Sequence, residues 1–334
     1  MEKWRNVFLT NLLLCCSFQL NAQWDSPIIQ YWEVKGYYNP SYIGINNNIN
    51  TTTVYSHQLA GIEGAPHSTV FTADMPFMLL NKRHGAGITA HSENIGSLRN
   101  TLLSAQYSFK QQIGTGFLNI GLQAGIYNIN YDAGALILIT DPDNNNLKKI
   151  RVNSTKKQTA DLSAGISWTG KKLHIGLSSI HINQPEFYVF SSLNNTNNST
   201  NNLPNYSLKS DSIKSQIPRT FNFFAGYNIP IFYSLEIQPM VLLLSNNNNT
   251  YTQSTIRLEY DNKYSGGFSW ISEDGYSIFA GTTVQCFSLG YAYTMHKSGF
   301  GKESKGSHEL FLKYSVSIDD FKQKPQPHKS IRLL

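Results

Sequence analysis

Along most of this chain, apolar and polar side chains take turns with a period of two. Ala160, Leu162, Ala164, Ile166 and Trp168 alternate with Asp161, Ser163, Gly165 and Ser167. Leu118, Ile120, Leu122, Ala124 and Ile126 alternate with Asn119, Gly121, Gln123 and Gly125. Leu103, Ala105, Tyr107 and Phe109 follow the same rule, as do Phe287, Leu289, Tyr291 and Tyr293, and Leu310, Leu312, Tyr314 and Val316. A strand sends successive side chains to opposite faces, so the rhythm predicts strands with one apolar and one polar face. Helical spacing is nowhere sustained. Fourteen segments fit, near 51–57, 67–75, 85–91, 100–110, 116–130, 158–168, 172–182, 219–229, 233–244, 250–260, 264–271, 275–285, 287–295 and 307–316. Several reach the roughly 9–11 residues that a tilted membrane strand needs.

Connection lengths sharpen the picture. With both mature ends in the periplasm, the outward connections include 131–157, 183–218 and 296–306, all long. The inward ones include 111–115, 169–171, 230–232 and 261–263, all short, with 76–84 longer than the rest. Long loops outside and short turns inside is the rule for outer-membrane barrels. Asn-rich tracts at 144–146, 194–202 and 246–249 suit solvated loops, because they have no apolar area to bury. The expected fold is all-β: a single transmembrane outer-membrane β-barrel of about 14 antiparallel strands. A soluble β-sandwich would alternate too, but would carry more surface Lys and Glu and rarely needs so many strands.

Composition supports the membrane reading. Charged residues are 14% of the 334, against roughly 25% in a soluble domain, and aromatics are 13%. The formal charge is +6, but Lys and Arg are scattered, with no basic face interleaved with aromatics, so no nucleic-acid partner is expected. Lys3 and Arg5 precede an apolar run, Val7 to Leu20, and Ala22 then closes a cleavage-like site, so the mature chain is expected to start near Gln23. Beyond that segment no apolar run approaches the roughly 18 residues of a membrane helix. The expected organisation is a signal peptide (1–22), a periplasmic N-terminal segment (23–50), the barrel (51–316) and a basic periplasmic C-terminal tail (317–334). After cleavage only Cys286 remains, so no intrachain disulfide can form.

Catalytic and metal motifs are incomplete. His67, Ser68 and Asp74 lie near one another, but no nucleophile elbow accompanies them. "DPDNNN" at 141–146 lacks the Gly and the distal Glu of a calcium loop. His308-Glu309 is not followed by the second His of a zinc helix, and "GTGFLNIG" at 114–121 opens no helix that would cradle phosphate. No enzyme activity, cofactor or metal is expected. A diffusion porin stays open, since Asn119, Gln123, Asp161 and Ser163 suit a wet lumen, and an outer-membrane lipase is the second rival. On this register Arg at Leu122, Ile166 or Leu289 should meet lipid and destabilise, while Arg at Gln123, Ser163 or Ser288 should be tolerated.

Seven blocks occur in order: "YYNPSYIG" (37–44), "GIEGAPHSTVFTADMPF" (61–77), "SLRNTLLSAQYSFK" (97–110), "LNIGLQAGIYN" (118–128), "PRTFNFFAGYN" (218–228), "SLGYAYT" (288–294) and "GSHELFLKY" (306–314). Together they resemble the PorP/SprF family, outer-membrane proteins of the type IX secretion system, over nearly the whole mature chain. The resemblance implies an outer-membrane barrel that helps cargo such as gliding adhesins reach or stay on the cell surface. The implied partners are other type IX components, secreted cargo and outer-membrane lipid, and the family pattern carries no catalytic residue or cofactor.

Within these blocks the candidate partner-contact or structural positions are Asn39, Pro40, Gly44, Gly61, Gly64, Ala65, Pro66, Asp74, Pro76, His308 and Glu309. Gly61, Gly64 and Pro66 can fix a tight outward loop, and Asp74 and Pro76 are expected to end the next strand. Asn39, Pro40 and Gly44 precede the first strand and either plug the barrel or face the periplasm. The aromatic-rich stretch 24–44 is expected on the periplasmic side, where it packs into the lumen or docks on a partner.

Overall fold

The computed structural model describes residues 25–131, 137–140, 147–152, 155–192, 212–246, 249–272 and 274–318. The signal segment, the Asn tracts at 144–146 and 194–202, "DPDNNN" and most of the basic tail lie outside them. In chain order the strands are β1 (Asn48–His57), β2 (His67–Leu79), β3 (Lys82–Ile95), β4 (Leu98–Ile113), β5 (Gly116–Tyr131), β6 (Ile137–Thr140), β7 (Leu147–Val152), β8 (Thr155–Thr169), β9 (Leu173–Ile180) and β10 (Glu186–Ser192). There follow β11 (Ser212–Gln216), β12 (Thr220–Tyr227), β13 (Ile229–Phe232), β14 (Leu235–Ser245), β15 (Thr250–Tyr260), β16 (Tyr264–Ile271), β17 (Gly275–Val284), β18 (Phe287–His296) and β19 (Ser307–Ser317).

Fourteen of these close into one antiparallel ring. β1 pairs with both β2 and β19, and β12 pairs with β14, which leaves no open edge in the ring. Closure pairs each strand with a neighbour on both sides, which a bilayer requires of main-chain groups in its core. Each of the fourteen segments predicted from the alternation coincides with a barrel strand. β13 is a short addition along β14, and β6, β7, β10 and β11 form a separate four-stranded sheet in the two longest connections. The long connections gather at one end of the barrel and the short turns at the other.

Two turn expectations are corrected. The inward connection at 76–84 shrinks to Leu80-Asn81, at φ 49° and 58°, a left-handed pair whose twist matches a two-residue hairpin. Asp74 and Pro76 do not end β2, which runs on to Leu79. The ladder to β1 stops at Asn50↔Asp74, so β2 beyond that point is bonded to β3 alone and tolerates a proline lacking N–H. The inward turn expected at 230–232 is occupied by β13 instead.

Outside the ring, Leu122, Ile166 and Leu289 face the lipid as the alternation predicts. Tyr227, Phe232, Tyr233, Tyr260, Tyr264 and Phe287 form an exposed aromatic girdle at the short-turn end, as membrane barrels place at the interface.

The upper and middle lumen is occupied by the chain's own amino-terminal segment. The chain from Asp25 enters at the long-loop end, descends through the ring and joins β1 at the short-turn end. It makes three helical turns, Tyr31–Glu33, Lys35–Tyr38 and Pro40–Tyr42. These are too short to show a helical period in the sequence. Ile28, Tyr31, Val34, Tyr38 and Tyr42 pack against Val54, Phe224, Leu242, Phe279 and Phe311 from the wall. Of the two arrangements expected for this stretch, packing into the lumen or docking on a partner, the structure shows the first: it is a plug inside the barrel.

Candidate functional site

The plug meets the wall through polar anchors at each level. At the long-loop end His181 lies between two carboxylates: Nε2 to Asp25 Oδ2 at 2.9 Å and Nδ1 to Asp161 Oδ1 at 2.7 Å. Burial alone would pull the imidazole down, but the paired Asp25 and Asp161 outweigh it and hold His181 at about 10. The same contact holds Asp25 below the usual carboxylate range against its burial. One step deeper, Glu309 accepts from the backbone N–H of Ile29 and of Gln30, both at 2.7 Å. A buried carboxylate forked by two N–H groups is a strong tie. Its neighbour His308 is on the other face of β19, against the Tyr291 hydroxyl at 2.6 Å. Adjacent in sequence, the two residues work on opposite sides of the wall.

Midway, Ser178 Oγ and Asn222 Nδ2 donate to Tyr38 O at 2.7 Å each, and Gln106 Nε2 donates to Gly36 O at 2.8 Å. Asn39 caps the following turn by accepting from Ser41 N at 2.9 Å, and its Nδ2 reaches the carbonyls of Ile166 and Leu177. At the short-turn end Ser108 Oγ donates to Ile43 O at 2.7 Å, and Gly44 N donates to Asp74 Oδ2 at 2.8 Å. Gly44 has φ +62°, and a Cβ there would sit 2.8 Å from Gly85 Cα. Asn39, Gly44, Asp74 and Glu309 thus all take part in contacts between plug and wall.

The wall makes room for this backbone. A Cβ on Gly121 would lie 2.2 Å from Ser41 N, and one on Gly165 would lie 2.1 Å from Asn39 Oδ1. Glycine inside a strand marks close approach of another backbone. Replacing Gly121 by Val is therefore expected to unseat the plug at a cost of about 1–3 kcal/mol while the ring still forms. Conductance in planar bilayers should rise from the closed level with the amount of folded, heat-modifiable barrel unchanged, and an equally closed variant would refute the fit.

Gly61, Gly64, Ala65 and Pro66 lie at the long-loop rim. Gly61 and Gly64 adopt φ 89° and 71°, Ala65 N donates to Ile62 O at 3.2 Å, and Gln58 N donates to Pro66 O at 2.9 Å. The loop is braced from both sides: Ala60 N to Gly306 O and Lys305 N to Ala60 O, both at 2.7 Å, and Gly96 N to Gly64 O at 3.2 Å. It is a packed platform rather than a bare hairpin closure. His67 at its edge lies 3.0 Å from Asn94 while Asp74 holds Gly44 at the far end, so the His67–Ser68–Asp74 grouping does not come together. Sequence reading missed His181, Gln106 and Ser178, and only the glycines at lumen positions signalled a backbone inside.

A family model for the type IX secretion system membrane protein PorP/SprF matches residues 20–314. The chain belongs to the PorP/SprF family. No curated protein matches it. Among solved structures, a Pseudomonas aeruginosa FadL homologue aligns at TM-score 0.50 with 11% identity, covering 84% of this chain and 92% of that one. The Pseudomonas putida toluene transporter TodX aligns at 0.50 with 9% identity, covering 85% and 93%. At such identities these likenesses speak for the fold alone. This PorP/SprF chain is an outer-membrane barrel of type IX secretion, and membership in the family implies interaction with other components of that system.

Proposed function

We propose that this PorP/SprF barrel is a sealed, non-enzymatic accessory that binds partners at its two rims and helps secreted cargo, such as gliding adhesins, reach or stay on the cell surface. The observation that carries the reading is the anchored plug, since a lumen tied shut from Asp25 to Gly44 suits docking better than diffusion. Export with cleavage near Gln23 belongs to the same reading. The braced 58–66 loop offers a defined contact surface to cargo at the long-loop rim. Deleting 61–66 is expected to reduce surface display of secreted adhesins, and deleting 194–202 to leave it intact, at equal barrel levels. The reverse result would move the contact surface to the Asn tract. Unchanged display in a full knockout would end the secretion role, leaving the small-solute channel favoured by the cavity below the plug.

A further inference from the structure

Below the plug, at the short-turn end, the lumen keeps a cavity of about 550 Å³. That is within the range of about 300–1,000 Å³ found for small-ligand pockets. Its charges are mostly answered. Glu33 meets Lys313 at 3.0 Å, Glu259 meets Arg257 Nη1, and Asp74 holds Gly44 N. Besides Lys171, exposed at the rim, two donors are left over. Arg257 spends Nη1 on Glu259 and on Gln238 Oε1 at 2.7 Å, but its buried Nε has no acceptor. Lys35 has no ion-pair partner among the described residues, and its Nζ rests 4.9 Å from the centre of the Phe224 ring and 6.0 Å from that of Tyr42. A buried donor without an acceptor is costly, and a cation held over aromatic rings remains available to an anion.

We propose that this cavity is a receptor site for a peptide carboxylate, brought by a periplasmic partner of the secretion machinery and received by Lys35 and Arg257. This rests on the reading of the barrel as a docking accessory and gives that docking its chemistry. The site opens at the short-turn end, which the loop asymmetry assigns to the periplasm. Trp32, Phe224 and Met240 supply apolar wall for the residues behind the carboxylate. Glu33 and Glu259 stand beside the two cations and would repel a dianionic phosphate more strongly than a singly charged carboxylate. Burial, assisted by Lys313 and Arg257 and opposed by Glu33, brings Lys35 down to about 8, so it is still charged at neutral pH and gains most from a new anion.

The test is calorimetric titration of the full-length barrel in detergent with acetylated tetra-alanine, its C-terminal amide and inorganic phosphate. The free carboxylate is expected to bind at least tenfold more tightly than the amide and more tightly than phosphate. Lys35→Gln should lose at least tenfold, Lys35→Arg should retain binding, and heat-modifiability checks that both fold. Arg257→Gln should weaken the carboxylate peptide and not the amide. Equal binding of acid and amide, preference for phosphate, no binding at all, or full binding by Lys35→Gln would each overturn the site. In cells, display lost in the knockout but intact with Lys35→Gln would overturn the site and leave the accessory role. Unchanged display in the knockout would remove the role itself.

Discussion

Arginine at Leu122, Ile166 or Leu289 is expected to destabilise the folded barrel by about 2–4 kcal/mol each, the cost of a charge facing mid-bilayer lipid. These side chains are 58%, 44% and 46% exposed on the outer wall. The lumen positions divide into two groups that polarity alone would merge. Ser288 borders the open cavity, so Ser288→Arg should be tolerated. Gln123 and Ser163 are 6% and 2% exposed beneath the plug, and Gln123 Oε1 accepts from the Gln106 amide that also holds Gly36. Arginine there should spare the ring and break the seal, contrary to the tolerance expected from alternation. Heat-modifiability reads the first effect and bilayer conductance the second. Equal losses of folded protein at all six positions would show the two faces to be misassigned.

His181→Gln is expected to loosen the long-loop end of the plug at neutral pH, because removing one member of a buried ion pair costs roughly 3–5 kcal/mol. Between pH 6 and 11 the wild type should show the same loosening only at the alkaline end. The sign follows from linkage: His181 is held at about 10, above its ordinary 6.5, so the tie is complete below about 6.5 and is lost as pH rises through 10. Asp25 is shifted the other way, so its share is present above the ordinary carboxylate range and fails only in acid. Conductance measured from pH 6 to 11 is the check. A variant closed at pH 7, or a wild type closed throughout, would remove His181 from the latch.

The ring was legible because each strand carries its own evidence. A residue such as Leu122 must face lipid and its neighbour Gln123 must not, and that constraint repeats down the wall. The plug was legible only as one of two alternatives, because residues 25–45 make turns of three or four residues bound to many separate strands, and no local period encodes such contacts. The aromatic run at Tyr31, Tyr37, Tyr38 and Tyr42 signalled burial without saying where. Gly121 and Gly165 read as small members of the polar face, yet their lack of a side chain is what admits Ser41 and Asn39. Pro76 was misread as a stop because its tolerance depends on where β1 ends, a fact of the partner strand. His308 and Glu309 stood side by side among the candidates, but strand geometry sends them to opposite sides.

The plug also bears on the order of assembly. It runs directly into β1 and hangs from Glu309 of β19, so it touches both partners of the seam between the first and last barrel strands. Ile29 and Glu309 are 280 positions apart in sequence. The plug is tied to strands all around the lumen, so the ring closes around it. The amino end therefore waits, unheld by its carboxylate fork, until the final strand arrives. A chain truncated before β19 can neither join its seam nor hold Ile29 and Gln30 through Glu309, which ties the seating of the plug's first turn to the arrival of the last strand.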